Sequence, residues 1–299
     1  MDIRQYLENK RSQVDAALHK YMLAEQEALA EHIKSMGYSL FAGGKRVRPI
    51  LCLAAAEAVH TTADDLPEAC LVTACALECI HAYSLIHDDL PAMDDDELRR
   101  GKPTNHMVFG EAGAILAGDG LLTFAFELLS TPGWQTPSAE DRLRIISIIS
   151  RAAGPVGMVG GQFLDLENEG KNVEFATLRD IHSRKTGALI TASIQAGAIL
   201  GNGSAEQYDA LSEYGERVGL AFQIVDDLLN VEGTREQLGK AAGSDAARRK
   251  ATYPALFGVE ETRKMAKTAV NEAVAALDEF DDKAEPLREL AKYIFTRKR

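Results

Sequence analysis

Residues 67–90 read PEACLVTACALECIHAYSLIHDDL, and this stretch decides the class of fold. Its apolar residues recur at i, i+3 and i+4, without the sustained period-2 alternation that marks a strand. A helix that is apolar on almost every face must be wrapped by other helices. The same helical spacing recurs at about 2–35, 47–60, 111–130, 139–156, 176–183, 186–201, 205–230, 253–257, 259–279 and 284–296. Breaks fall at Gly43-Gly44, Thr61-Thr62, Pro91, Gly101 to Pro103, Pro132 to Pro137, Gly170 and Gly201 to Gly203. The spacing therefore predicts an all-α fold, a single large bundle with 67–90 and 186–201 as its buried centre. No Pro/Ser-rich linker or charge block divides the chain, so one domain over 1–299 is expected.

The 299 residues carry 33 Lys+Arg against 45 Asp+Glu, a formal charge of −12, with 46% hydrophobic residues. That balance gives no general attraction to polyphosphate, which argues against a nucleic-acid binder or a polybasic membrane-surface protein. Any phosphate site must be built locally. Cys52, Cys70, Cys75 and Cys79 are too few for a disulfide scaffold and read as reduced core thiols, hence a cytoplasmic setting. Met1 to Gln13 is polar and charged, unlike a signal peptide. Thr186 to Ala205 is the one uncharged stretch approaching membrane length, but Thr191, Ser193, Gln195, Asn202 and several glycines suit a buried helix better than integral membrane association.

Aspartate is a poor helix-interior residue and is seldom buried unpaired, yet both Asp pairs come at the end of strongly apolar helical runs. Ile86-His87-Asp88-Asp89-Leu90 and Ile224-Val225-Asp226-Asp227-Leu228 share the pattern I-x-D-D-L. Gln223 and Asp227, and Asp226 and Asn230, are each four apart, so one helical face presents amides with carboxylates. An unbroken helix would carry Asp94 about 240° around the axis from Asp88, on the wrong side. Pro91 disfavours continuation past Leu90 and lets the chain bring Asp94 back. Hard oxygen donors, few in number, suit Mg²⁺ bridging to phosphates.

Cations stand close to both acid regions. Gly43-Gly44-Lys45-Arg46-Val47-Arg48-Pro49 joins a glycine pair to three cations at a helix start, a plausible phosphate pocket. Arg99-Arg100-Gly101-Lys102-Pro103-Thr104 follows the first region, while Lys185-Thr186, Lys240 and Lys250 supply separated cations around the second. The aspartates alone would repel a diphosphate, and divalent cations would reverse that repulsion.

Taken in order, these motifs resemble the short-chain trans-isoprenyl diphosphate synthase family, most closely its bacterial farnesyl diphosphate synthases. Gly43 to Pro49, His81 to Asp94 with Arg99 to Thr104, and Phe222 to Asp227 followed by Leu238-Gly239-Lys240, Asp245 and Lys250 to Pro254 carry the likeness. The resemblance implies an isoprenoid-synthase bundle around a deep central cavity, a homodimer, isoprenoid diphosphate substrates, and three Mg²⁺ ions per site. It implies Asp88, Asp89, Asp94, Asp226 and Asp227 as metal-binding, with Asp88, Asp94 and Asp226 the chief ligands. Gly44, Lys45, Arg48, His81 and Arg100 would bind isopentenyl diphosphate; Arg99, Lys185, Thr186, Gln223, Lys240 and Lys250 would bind the allylic diphosphate. Lys185, Thr186 and Gln223 would act catalytically on the developing carbocation. The family's DDxxD motif usually ends in a third Asp, and here Asn230 stands in that place, which bears on metal affinity.

No nucleophilic triad is needed, and none is apparent; His87 is read as a hydrogen-bonded structural residue. Tyr83 lies five residues before Asp88, about 7.5 Å deeper along the helix, where with Ser84 it would floor the cavity. By resemblance this implies a C15 product, (2E,6E)-farnesyl diphosphate, with geranylgeranyl diphosphate the alternative. A class I terpene cyclase would not need the second diphosphate pocket, and a non-catalytic partner subunit would not need both Asp pairs.

Overall fold

The 67–90 run forms the helix that its pattern predicts. In the computed structural model, which describes residues 1–24, 26–61, 65–134, 138–232 and 251–297, it is α4 (Glu68–Asp88), with buried side chains facing every direction. The chain order is α1 (Ile3–Tyr21), α2 (Ala30–Leu40), α3 (Val47–Val59), α4, a two-stranded hairpin of β1 (Leu98–Arg99) and β2 (Lys102–Pro103), and α5 (Asn105–Ser130). Then follow α6 (Ala139–Ala153), α7 (Met158–Glu167), α8 (Phe175–His182), a π turn (Ser183–Gly187), α9 (Ala188–Leu200) and α10 (Ala205–Glu232). The last described elements are α11 (Tyr253–Phe257), α12 (Val259–Ala275) and α13 (Glu285–Thr296). The fold is all-α, with the hairpin its only β structure among the described residues.

Two apolar groups make up the interior. One gathers α4, α5 and α6 around Leu77, Ile80, Leu121 and Ile149; the other gathers α3, α9, α10, α12 and α13 around Ile50, Ile194, Tyr214 and Leu287. Helix α9 joins them, since Leu189 and Ala196 belong to the first and Ile190 and Ile194 to the second. Its backbone approaches α3 closely: a Cβ on Gly197 would lie 2.2 Å from the Cys52 carbonyl oxygen, so only glycine fits. All four cysteines are buried free thiols. Helices α4 and α5 are also long and apolar enough to cross a membrane, but 78% of the α4 window is buried within the protein, so its apolarity serves the core.

Three segments depart from the sequence expectation. The run at 2–35 is two helices, because α1 ends at Tyr21 and the chain reverses to stack Phe41 on His19, with centroids 4.1 Å apart. No Gly or Pro announces that break; packing imposes it. Helix α7 forms across the glycine-rich stretch at 157–161, where no helix was expected. Gly161 explains its seat, since a Cβ there would lie 2.3 Å from the Lys185 amide nitrogen. Helix α5 begins at Asn105 rather than 111 and breaks at Gly110 (φ 76°), so the expected boundary is an internal kink.

Candidate active site

The first acid region is a helix end that folds back on itself. Helix α4 stops at Asp88, the Met93 and Asp95 amides donate to the Leu90 carbonyl (2.9 and 3.0 Å), and the Asp94 amide donates to the Asp88 carbonyl at 2.8 Å. The turn at Pro91 thus returns Asp94 to Asp88, as the spacing predicts. Burial raises the Asp88 carboxyl above its ordinary pKa; Lys185 opposes the shift and Asp94 adds to it. Asp89 points elsewhere: it is 3% exposed, and both of its oxygens accept from Arg99 Nε at 2.8 Å.

That arginine comes from the hairpin. Leu98 pairs with Pro103 and Arg99 with Lys102, leaving Arg100 and Gly101 as a two-residue turn with both φ positive (54° and 75°). Arg99 is thereby turned onto Asp89 and Arg100 onto the Gly43-Gly44 loop, where its guanidinium fills the space that a Gly44 side chain would need (2.8 Å from an ideal Cβ). The loop and the hairpin, far apart in sequence, form one cationic wall with His81. Burial, then Arg48, Arg100, Arg99 and Arg46, push the His81 imidazole well below its ordinary pKa, so it is a neutral hydrogen-bonding group.

Arg46 faces inward, unlike its neighbour Lys45, which is exposed. It holds a left-handed backbone (φ 52°), a strained state for a non-glycine residue, and its guanidinium is fixed three ways. Nε meets Asp15 at 2.8 Å, Nη1 meets Glu78 at 2.6 Å, and Nη2 donates to the Leu40 carbonyl at 2.9 Å.

The second acid region lies inside α10, not at its end. Asp227 is 4% exposed and accepts from the Tyr253 amide (2.9 Å) and from Gln223 Nε2 (3.2 Å). Asp226 sits deep in the molecule, yet 42% of its side chain is open. Burial raises its pKa, while Arg297, Lys45 and Arg48 pull it down. Arg297 pairs directly with it, and its guanidinium lies 4.0 Å over the Phe222 ring.

Between the two regions runs the π turn. Thr186 Oγ1 donates to Gln223 Oε1 at 2.9 Å, and Lys185 Nζ meets Asp165 Oδ2 at 2.7 Å while acting electrostatically on Asp88. The turn therefore links Asp88 on α4 to Gln223 and Asp227 on α10. His182, just before it, is held at about 4 by burial, with Asp165 opposing and Lys185 assisting.

The expected residues thus divide. Asp88, Asp94, Lys185, Thr186 and Gln223 come together, as do Gly44, Lys45, Arg48, His81 and Arg100 with Asp226. Asp89 and Asp227, expected among the metal ligands, are buried and accept hydrogen bonds from Arg99 and from the Tyr253 amide. Arg99, expected on the allylic diphosphate, is the partner of Asp89. Tyr83 is buried edge-on to His87 (5.7 Å), His87 Nε2 is hydrogen-bonded to the Ile115 carbonyl at 3.0 Å, and Ser84 donates to the His81 carbonyl at 2.9 Å. Lys240 and Lys250 lie outside the described residues. Arg297, whose terminal basic cluster is read in the sequence either as a cover for the active-site mouth or as a solvated tail, lies against Asp226. Missed in the sequence were Asp15, Glu78, Asp165 and Gln162, whose amide nitrogen and oxygen are both buried without a partner. Gln162 and Asp165, polar residues at i, i+3 in an apolar run, were a readable signal.

Among the described residues, no group of three or more His, Cys, Asp or Glu side chains forms a cation cage. Asp88 with Asp94, and Asp226 apart from them, are donors of the kind Mg²⁺ uses when substrate phosphates complete its shell.

Residues 30–292 match the polyprenyl synthetase family. The chain is 49% identical to a farnesyl diphosphate synthase of Geobacillus stearothermophilus, the match covering 87% of this chain and 86% of that one. It is 48% identical to a geranylgeranyl diphosphate synthase of Cyanophora paradoxa, covering 88% and 86%. An FPP/GFPP synthase structure from Zymomonas mobilis superposes with a TM-score of 0.86 at 37% identity, covering 98% of this chain and 99% of that one. The motif order, the fold and these matches agree that the chain belongs to the polyprenyl synthetase family.

Proposed function

We propose that this short-chain prenyltransferase condenses isopentenyl diphosphate with dimethylallyl and then geranyl diphosphate, ending at C15 farnesyl diphosphate. The observation that carries the reading is the repeated division of each Asp pair. One carboxylate is buried and fixed within the fold and the other is more open beside cations, Asp88 by Lys185 and Asp226 by Arg297, Lys45 and Arg48.

In this reading Asp88, Asp94 and Asp226 hold Mg²⁺ together with the allylic diphosphate. The bound cations supply positive charge to the leaving group. Lys185 adds a further charge, oriented by Asp165. The Thr186 hydroxyl and the Gln223 amide, locked to each other, present fixed dipoles to the allylic cation as the diphosphate departs. Lys45, Arg48, His81 and Arg100 hold isopentenyl diphosphate so that its double bond attacks that cation. The proton then lost passes to the departing diphosphate; His81 is assigned to the isopentenyl diphosphate pocket and His87 is held by the Ile115 carbonyl.

Chain length rests on Tyr83. Its ring is 5% exposed and backed by His87, and burial, with Asp88, raises its phenol to about 12, so it remains neutral. The exposed apolar side chains Met107, Val108, Ile115 and Leu116 of α5 support the homodimer reading, and the buried free thiols support a cytoplasmic one.

The test is product analysis with Mg²⁺, isopentenyl diphosphate and each allylic starter in turn. A dominant C15 alcohol after phosphatase treatment is expected, and dominant C20 would contradict the length assignment. Tyr83→Ala should shift the product to C20 or longer; an unchanged C15 profile removes Tyr83 as the floor. Consumption of geranyl diphosphate without isopentenyl diphosphate would favour a cyclase instead.

A further inference from the structure

Glu78 lies one helical turn before His81 and is 2% exposed within the apolar helix α4. A carboxylate there is costly unless cations surround it. Oε1 accepts from Arg46, but Oε2 is buried with no hydrogen-bond partner. Arg48 Nε is likewise buried without a partner, and Glu78 is the strongest charge acting on both Arg48 and Arg100. Arg46, Glu78, His81 and Arg100 line one cleft. An unmet acceptor and an unmet donor therefore stand beside the cationic wall.

We infer that Glu78 is a positioning residue for the isopentenyl diphosphate pocket: its second oxygen aligns Arg48 and Arg100, which would otherwise repel each other, toward the diphosphate. This rests on the reading of Lys45, Arg48, His81 and Arg100 as that pocket. Charge alone predicts the opposite, because neutralising a carboxylate beside an anion site should tighten anion binding. Alignment predicts weaker binding, because a guanidinium fork contributes fully only when its donors meet the oxygens in plane.

Steady-state kinetics of the full chain, varying isopentenyl diphosphate and the allylic substrate separately, distinguish the two. Glu78→Gln should raise KM for isopentenyl diphosphate about tenfold while the allylic KM stays within about twofold, and Glu78→Asp should recover most of the loss. An unchanged or lowered KM for isopentenyl diphosphate overturns the inference, as does an equal rise in both KM values, which marks a general structural role. Lys45→Ala, measured alongside, tests the pocket itself. If it leaves that KM unchanged, the pocket reading fails and takes the inference with it. If it raises that KM while Glu78→Gln does not, the inference alone fails. Should Glu78→Gln not fold, Glu78→Asp decides: a selective rise in KM for isopentenyl diphosphate supports the inference, and the absence of one overturns it.

Discussion

The two I-x-D-D-L segments put the same five-residue pattern into different settings and arrive at the same division. In each, the second aspartate is buried and fixed: Asp89 by Arg99, Asp227 by the Tyr253 amide. In each, the first is left more open, Asp88 at the end of α4 and Asp226 within α10. The settings decide what joins them. A helix end can turn back, so the first region gains Asp94. A continuing helix offers only its own i+4 position, Asn230, and Asp226 is met instead by Arg297 from beyond α13.

That division is broken most directly by exchanging the roles. Asp88→Asn and Asp226→Asn should each lower turnover about a thousandfold without lowering the melting temperature. Loss of stability with turnover intact would mean that the open members are the structural ones. Asp89→Ala should do the reverse, destabilising the fold by about 3 kcal/mol in urea titration because Arg99 loses its partner in a mostly buried setting. Asp227→Ala should cost about 2 kcal/mol by stranding the Tyr253 amide.

The turn that links the regions has its own pH signature. His182 is held neutral, so its contribution is complete above pH 6.5 and is lost as pH falls toward 4. Unfolding at pH 7.5 and 4.5 should show a loss larger by about 2 to 3 kcal/mol in the native chain than in His182→Phe; equal losses would contradict the buried neutral ring. The smallest effect concerns the asymmetry itself. Asn230→Asp should lower the half-saturating Mg²⁺ concentration about threefold, as added ligand charge does. An unchanged value would exclude residue 230 from the cation site.

Much of this was legible in the sequence. The apolar run of α4, the return of Asp94 at Pro91 and the cationic loop at Gly43 follow from periodicity and turn chemistry. What periodicity could not separate were adjacent residues of one type. Asp89 is set apart from Asp88 by Arg99, ten residues on; Asp227 is set apart from Asp226 by the Tyr253 amide in another helix, and Asp226 by Arg297. Lys45 and Arg46 diverge for a similar reason, since the buried Glu78 and the Asp15 carboxylate on α1 draw one inward. Helix α7 was hidden because it opens on glycines, poor helix formers, of which Gly161 meets the Lys185 backbone and Gly160 the Pro155 carbonyl.

In the proposed reaction Asp88 with Asp94, and Asp226, would grip divalent cations on one shared diphosphate. Crystals grown with Mn²⁺ and an unreactive thiodiphosphate analogue of the allylic substrate test it through the anomalous signal of the metal. Mn²⁺ peaks are expected against Asp88 and Asp94 and against Asp226, all touching the same diphosphate, with Arg297 released from Asp226. Peaks on only one acid region, or a diphosphate bound away from both, would contradict it.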